Sequence, residues 1–510
     1  MPADQPPRSP EDGIEAAHRA LRAGAVSRRG FLTATAAAAG AAMAGSARAE
    51  QASAMAATPV AGASPKGKAR NLIFFVSDGM SHGTLALCNL FMRDRFERES
   101  RWTSWIRDER PRRGLIDTAS FDSYVTDSAA ASSAWSVGSR VENSSLCVLP
   151  DGSAPEPIWL RARRTGRAVG VVTTTRATHA TPAGFIANIP DRELEDDIAR
   201  QYVERGVDLV MGGGARHFPS AMLRDASNIT LVTDRDGLLG AAREPAAALA
   251  SGRRFYGLFA ESHMAYEVER PTNQPSLAEM TAAALATLAT RDGGFCLQVE
   301  AGRVDHAAHN NDAGSIVFDQ CAGDAALAAC LDWVKGRDDT LLVATTDHGN
   351  ANPGIQVYGA EATARFRRLQ GWRRSYEWLL AQLNLVPADD RTGDILSTLI
   401  EHGMQVRLKP SEAMGLDGWL RGHRVELFDE RNKKGGALAS VMANHVGVAF
   451  LGPNHTSDHV ECAATGPGSE MLPAFGHLTD VHRMVAAALD LPEAQRLKAP
   501  ALSGARSKPD

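Results

Sequence analysis

Three apolar runs in this chain end in residues that could do chemistry. Asn71-Leu-Ile-Phe-Phe-Val-Ser77 stops at Asp78-Gly79-Met80, and Phe295-Cys-Leu-Gln-Val299 stops at Glu300. Thr340-Leu-Leu-Val-Ala-Thr-Thr346 stops at Asp347-His348-Gly349. A single acidic turn after a strand is an ordinary solvated end. Three runs ending this way point to one shared polar site, because open parallel sheets bind ligands beyond the carboxyl ends of their strands. Just after Glu300 the chain reads Ala301-Gly-Arg-Val-Asp305-His306-Ala-Ala-His309. If Asp305 opens a helical turn, His309 falls one turn later on the same face, as two ligands of one metal should. His306 points about 100° away and is the weaker ligand candidate. Mixed carboxylate and imidazole donors suit zinc, whereas carboxylates alone suit magnesium.

Ser128 is the candidate nucleophile. It lies in Tyr124-Val-Thr-Asp-Ser128-Ala-Ala-Ala, where an extended stretch turns into an Ala-rich helix. Thr, Asp and Ser are favoured capping residues, which is the plain structural reading. The same helix start offers free N–H groups and positive potential to a phosphate or a serine alkoxide. With no Ser–His dyad visible in the sequence, this serine would need a metal to become acidic. Spacing alone leaves capping and catalysis open.

The elements that must position these groups alternate along the chain. Ala168–Thr174 and Asp208–Met211 are further strand candidates, and Ser276–Thr290 and Cys321–Lys335 carry helical patterns. The alternation predicts an α/β fold with a doubly wound, mainly parallel central sheet flanked by helices. The interval 353–442 departs from that pattern and reads as a large rim insertion, placed to cover the site or to form a subunit contact. Within it Phe366, Leu369, Arg373, Tyr376 and Leu380 recur at helical spacing. That predicts an amphipathic helix packed on its own domain, in preference to a membrane-surface helix.

Bulk properties set the outer limits. The chain has 510 residues, 44% hydrophobic and 23% charged, enough for a real core and unlike a disordered or fibrous protein. A formal charge of -5 lacks the basic footprint of a nucleic-acid binder. Six cysteines without a CxxC pair make neither a disulfide scaffold nor a zinc ribbon. At the start, Ser27-Arg28-Arg29-Gly30-Phe31-Leu32 precedes an Ala-rich run and then Ala47-Arg48-Ala49. Residues 1–49 therefore read as a twin-arginine signal peptide, with an apolar segment too short for a membrane span. A linker (50–68), one domain (69–495) and a flexible C-terminal tail (496–510) complete the expected organisation.

From Asn71 to about Leu489, outside the rim insertion, the chain resembles the alkaline phosphatase family of zinc-dependent phosphomonoesterases. The motifs carrying the resemblance begin with Ser77-Asp78-Gly79-Met80, Thr126-Asp127-Ser128-Ala129-Ala130 and Thr178-His179-Ala180-Thr181-Pro182-Ala183. Glu300 to His309, Thr346-Asp347-His348, and His455-Thr456 ahead of Gly466-Pro467-Gly468 follow in the family's order. The resemblance implies that Ser128 becomes phosphoserine and that Asp305, His309 and His455 hold a first zinc. It implies that Asp78, Asp347 and His348, with Ser128, surround a second zinc, and that Asp78, Thr181 and Glu300 surround a third ion, usually magnesium. Arg192 looks like the guanidinium whose planar fork grips two phosphate oxygens. Asp127 and His179 stand behind these groups as supporting residues. Because His179 occupies a position where some members carry aspartate, weaker magnesium retention is expected and the third ion's identity stays open. His445 and His459 are nearby alternatives to His455, which the distance to Gly466-Pro467-Gly468 favours.

The implied protein is an exported, periplasmic or secreted phosphatase of broad substrate range, with two zinc ions and one magnesium. Its expected partners are small phosphomonoesters, with no nucleic-acid-binding domain, no membrane span and a possible homodimer. Ser128 precedes Ala129-Ala130 rather than the Pro-x-Arg of a sulfatase, and serine with Arg192 favours monoesters over diesters. The rival of a different class is a non-catalytic protein that stores metal or captures phosphate.

Overall fold

Ten strands carry the chain's β-branched and aromatic runs: β1 (Asn71–Val76), β2 (Arg112–Asp117), β3 (Ala168–Arg176), β4 (Leu209–Gly213), β5 (Ile229–Val232), β6 (Arg254–Leu258), β7 (Phe295–Glu300), β8 (Thr340–Thr345), β9 (Val460–Thr465) and β10 (Phe475–His477). They form one sheet in the order β10-β2-β9-β8-β1-β7-β3-β4-β6-β5. Every pairing is parallel except those of β9, which runs antiparallel to both β2 and β8. The computed structural model describes residues 68–497 apart from 227, 357 and 425–434. The expected signal peptide and nearly all of the linker lie outside the described residues, as does the chain from 498. Arg496–Leu497 pairs with Ala154–Pro155, within the segment expected as a tail.

The expected α/β sheet is present, and the central strands explain why their sequences are apolar throughout rather than alternating. Helices cover both faces, so β1, β7 and β8 are buried along their whole lengths. Leu72, Phe74 and Val76 of β1 join a core with Trp135, Trp159 and Phe185. Ile73 and Phe75 point the other way, into a core with Trp102 and Leu297. The strands not anticipated from sequence are β2, β5, β6, β9 and β10. β5 is a half-exposed edge strand, β2 (Arg-Arg-Gly-Leu-Ile-Asp) has only two adjacent apolar side chains and is largely exposed, and β10 has only three residues, so none of these three carries a long apolar signal.

The helices that matter for the site are α1 (His82–Phe96), α2 (Ser128–Val137), α3 (Leu277–Leu288), α4 (Arg303–His309) and α5 (Ala313–Val334). A capping box of Ser276 and Glu279 starts α3 where the pattern predicts a helix. The predicted helix Cys321–Lys335 is only the later part of α5, which starts eight residues earlier because the Asp312 side chain accepts from Ser315 N.

In the rim interval, α6 (Tyr376–Asn384), α7 (Gly393–Met404), α8 (Pro410–Leu420) and α9 (Gly436–Val446) follow a shorter helix, Gly359–Phe366. Here the structure corrects the expected single helical stripe. A 3-10 turn over Arg367–Gly371 interrupts the spiral, and the Ser375 side chain caps a fresh helix by accepting from Trp378 N. The restart changes the phase. Tyr376, Leu379 and Leu383 become the buried face, while Arg373 is exposed and Leu380 half-buried. This face packs with Phe366, Leu369 and Trp372 against Leu87 and Phe91 of α1 and Val317 of α5. Among the described residues no helix is long and apolar enough to cross a membrane.

Candidate active site

Strand register puts the ligand turns side by side. Val76 of β1 lies opposite Glu300 of β7 and Thr345 of β8, so the chain leaves all three strands at one level, toward Asp78, Glu300 and Asp347. Gly79 lets the first turn close on its neighbours. Its φ is +67°, and a Cβ there would lie 2.5 Å from Asp305 Oδ1 and 2.9 Å from the Asp305 Cα. Its N–H donates to Asp347 Oδ1 at 3.0 Å, as does His348 N, leaving Oδ2 to face the site. Gly79→Ala is expected to displace Asp305 and weaken cation affinity by about 10–100-fold, the range for supports of metal ligands. An unchanged metal titration would contradict this account of the turn.

The two readings of the Thr126-Asp127-Ser128 segment divide between neighbours. Asp127 is the cap, its Oδ1 accepting from Ala130 N at 2.9 Å. Ser128, the first helical residue, keeps its hydroxyl free for the site. Its Oγ lies 3.2 Å from His348 Nε2, a direct contact between two residues that the resemblance places around one ion. That same nitrogen lies 3.1 Å from Asp347 Oδ2 and 3.8 Å from Asp78 Oδ1, so three oxygens converge on it.

Three donor clusters are spaced to hold a cation: Asp305 with His348 and His455, Asp78 with Asp347 and His348, and Asp78 with His179 and Glu300. His309 joins the first through its Nε2, 3.4 Å from Asp305 Oδ2 and 2.9 Å from His455 Nε2. Backbone carbonyls fix both rings. His309 Nδ1 donates to Pro453 O at 2.7 Å and His455 Nδ1 to Thr126 O at 2.8 Å. With both Nδ1 atoms protonated, two Nε2 lone pairs face each other, and only a shared cation or proton reconciles them. His455 reaches this place on a short ladder in which His455–Thr456 pairs with Gly349–Asn350. The alternatives lie elsewhere: His445 bonds Glu412 at 2.8 Å, and His459 packs edge-on against Phe475. Thr181 Oγ1 donates to Asp78 Oδ2 at 3.3 Å, beside the third cluster.

The electrostatics of the pocket fit bound cations. Asp78, Glu300 and Asp347 are wholly buried and Asp305 nearly so. Asp78 Oδ1, Glu300 Oε1, Asp347 Oδ2 and His179 Nδ1 have no hydrogen-bond partner. Burial, then the charges of Asp347, Asp305 and Glu300, drives the Asp78 carboxyl well above its usual range. Burial, with Asp347 adding, pushes Glu300 up to about 7. Asp305 goes the other way. Burial opposes its ionisation, but His309 and His455 outweigh burial and hold it well below the normal value. So many buried carboxyls ionise together only if positive charge sits among them. The donor sets therefore suit metal ions.

Arg192 ties the serine to the third cluster. One fork nitrogen lies 3.1 Å from Asp127 Oδ2, and the other donates to His179 Nε2 at 3.0 Å. Burial and then the Arg192 charge keep His179 neutral. Sequence reasoning missed two further residues. Asn350 donates to Asp305 Oδ1 at 2.6 Å, and its only sequence signal is adjacency to the Asp347-His348-Gly349 turn. His263, from a loop without a motif, stacks edge-on against His306, whose ring does the same against His179. His306 is in none of the three clusters.

Cation donors around a buried serine, with a guanidinium beside it, suit transfer of a dianionic phosphoryl group, and the class so defined is a metal-binding phosphoric monoester hydrolase. The chain belongs to the alkaline phosphatase family, whose family model matches residues 69–491. It is 31% identical over 353 residues to the streptomycin-6-phosphate phosphatase of Streptomyces griseus, covering 58% of this chain and 76% of that one. It is 25% identical over 477 residues to alkaline phosphatase 3 of Bacillus subtilis (strain 168), covering 85% and 93% of the two chains. Among solved structures, Thermus thermophilus alkaline phosphatase superposes with a TM-score of 0.75 at 32% identity, covering 85% of this chain and 93% of that one.

Proposed function

We propose that the chain hydrolyses phosphate monoesters of broad range through a phosphoserine at Ser128. Zinc is assigned to Asp305, His309 and His455 and to Asp78, Asp347 and His348. A third ion, magnesium or a substitute set by His179, is assigned to Asp78, Thr181 and Glu300. Cations held there would supply positive charge to the attacking and leaving oxygens and make the serine hydroxyl acidic. The observation carrying this reading is that Ser128 Oγ lies 3.2 Å from His348 Nε2, a donor common to two of the clusters.

The chain's own residues then divide the work. Ser128 Oγ forms a bond to phosphorus as the ester oxygen leaves, and water later cleaves the phosphoserine, so two inversions retain configuration. Asp127 holds Arg192 beside the serine, ready to offer paired N–H groups to two non-bridging oxygens. These contacts address phosphate and none addresses the alcohol, which supports a broad range. The twin-arginine pattern supports export of the folded protein to the periplasm or beyond.

A second reading comes from the same distance: Ser128 and His348 as a metal-free dyad. It predicts activity that survives chelation, and a phosphate-capture protein predicts no turnover at all. Brief incubation with radiolabelled monoester followed by acid quench tests the proposal. Acid-stable label on Ser128 is expected, and unlabelled protein with full metal content would overturn it. Arg192→Ala is expected to raise the inhibition constant for inorganic phosphate about 10–100-fold, as for a lost charged hydrogen bond, with metal content unchanged. Equal phosphate inhibition in both proteins would remove the clamp role. His179→Asp is expected to tighten magnesium binding, and superimposable magnesium titrations would contradict that.

A further inference from the structure

Cys88 on α1 and Cys321 on α5 face each other with their sulfurs 3.2 Å apart, although 233 positions separate them in the chain. Cys88 is buried and Cys321 half-buried, and both are free thiols. The other four cysteines are also free and buried, and among the described residues no other two cysteine sulfurs are in contact. Burial pushes the Cys147 thiol up to about 11 and the Cys296 and Cys462 thiols up to about 12, and the facing Cys321 together with burial raises Cys88 well above its usual range, so the pair is singled out by the proximity of its two sulfurs rather than by acidity. Reaching a disulfide length of about 2.05 Å asks the facing pair to approach by roughly 1.2 Å, within side-chain rotation of two packed helices.

The geometry points to Cys88 and Cys321 as a thiol pair that closes to a disulfide when the protein meets an oxidising disulfide reagent. Cys321, the more accessible sulfur, attacks one sulfur of a small disulfide such as oxidised glutathione and releases one glutathione thiol. Cys88 then attacks the Cys321 sulfur of the mixed disulfide and releases the second. Two protein thiols are oxidised to one disulfide, one oxidised glutathione is reduced to two thiols, and the two protons go to the leaving thiolates. The bridge would join the helix that follows Asp78-Gly79-Met80 to the helix that follows Asp305 and His309. It would also close a very long loop, where a cross-link restricts the unfolded chain most.

Equilibrating the full metal-loaded protein with oxidised glutathione, then counting thiols in denaturant, tests the inference. The count is expected to fall by two from the six cysteines present, and a non-reduced digest should yield one linked peptide joining Cys88 to Cys321. The melting temperature should rise by about 3–6 °C and return to its starting value with dithiothreitol. Cys88→Ser and Cys321→Ser should each abolish the linked peptide and the reversible shift. An unchanged thiol count in the oxidised wild-type protein, or a linked peptide joining other cysteines, would overturn it.

Discussion

Replacing Ser128 by alanine is expected to lower kcat by at least about 10⁴-fold, equivalent to roughly 5.5 kcal/mol of lost transition-state stabilisation. The fold should survive, because the cap of α2 is the Asp127 side chain and alanine is a good helix former at the next position. The clusters should survive as well, since their donors are the carboxylates and imidazoles of Asp78, His179, Glu300, Asp305, Asp347, His348 and His455. Metal content near that of the wild type with turnover and acid-stable labelling both gone is therefore the expected pattern. Substantial kcat in a fully loaded Ser128→Ala protein would move the nucleophile elsewhere.

Asp78→Asn carries the second large effect, and its signature reverses with metal. Asp78 is common to two of the three clusters, so neutralising it should empty both and cut kcat/KM by about 10³-fold or more, roughly 4 kcal/mol. In the chelated protein the same carboxylate is buried among Asp347, Asp305 and Glu300, the arrangement that drives its proton affinity up. An amide there avoids both the repulsion of a charged carboxylate and the cost of protonating it on folding. The chelated variant is expected to melt above the chelated wild type, while with saturating metal the order is the opposite. The same order in both conditions, measured by calorimetry, would contradict the crowded-carboxylate account.

Much of this site was legible because its chemistry sits at the ends of apolar runs. Ser77-Asp78, Glu300 and Thr346-Asp347 announce themselves through the uninterrupted apolar character of β1, β7 and β8, which exists because both faces of those strands are covered. The spacing of Asp305 and His309 survives as one face of α4. What sequence could not supply was three-dimensional closure. The resemblance places Ser128 near His348, but nothing in the chain gives the direct contact between their side chains, says that carbonyls of Thr126 and Pro453 aim the two imidazoles, or says that Asn350 holds Asp305. The rim interval failed for a local reason. One serine cap at Ser375 restarted the helix and rotated its apolar face, so Leu379 took the place expected for Leu380.

Metal content per chain, measured alongside p-nitrophenyl phosphate turnover as metal is stripped by chelator and restored, tests the central claim most directly. Turnover should vanish as the first two clusters empty and return when zinc is added back. Undiminished turnover in protein shown to be free of metal would favour the Ser128–His348 dyad and contradict the account.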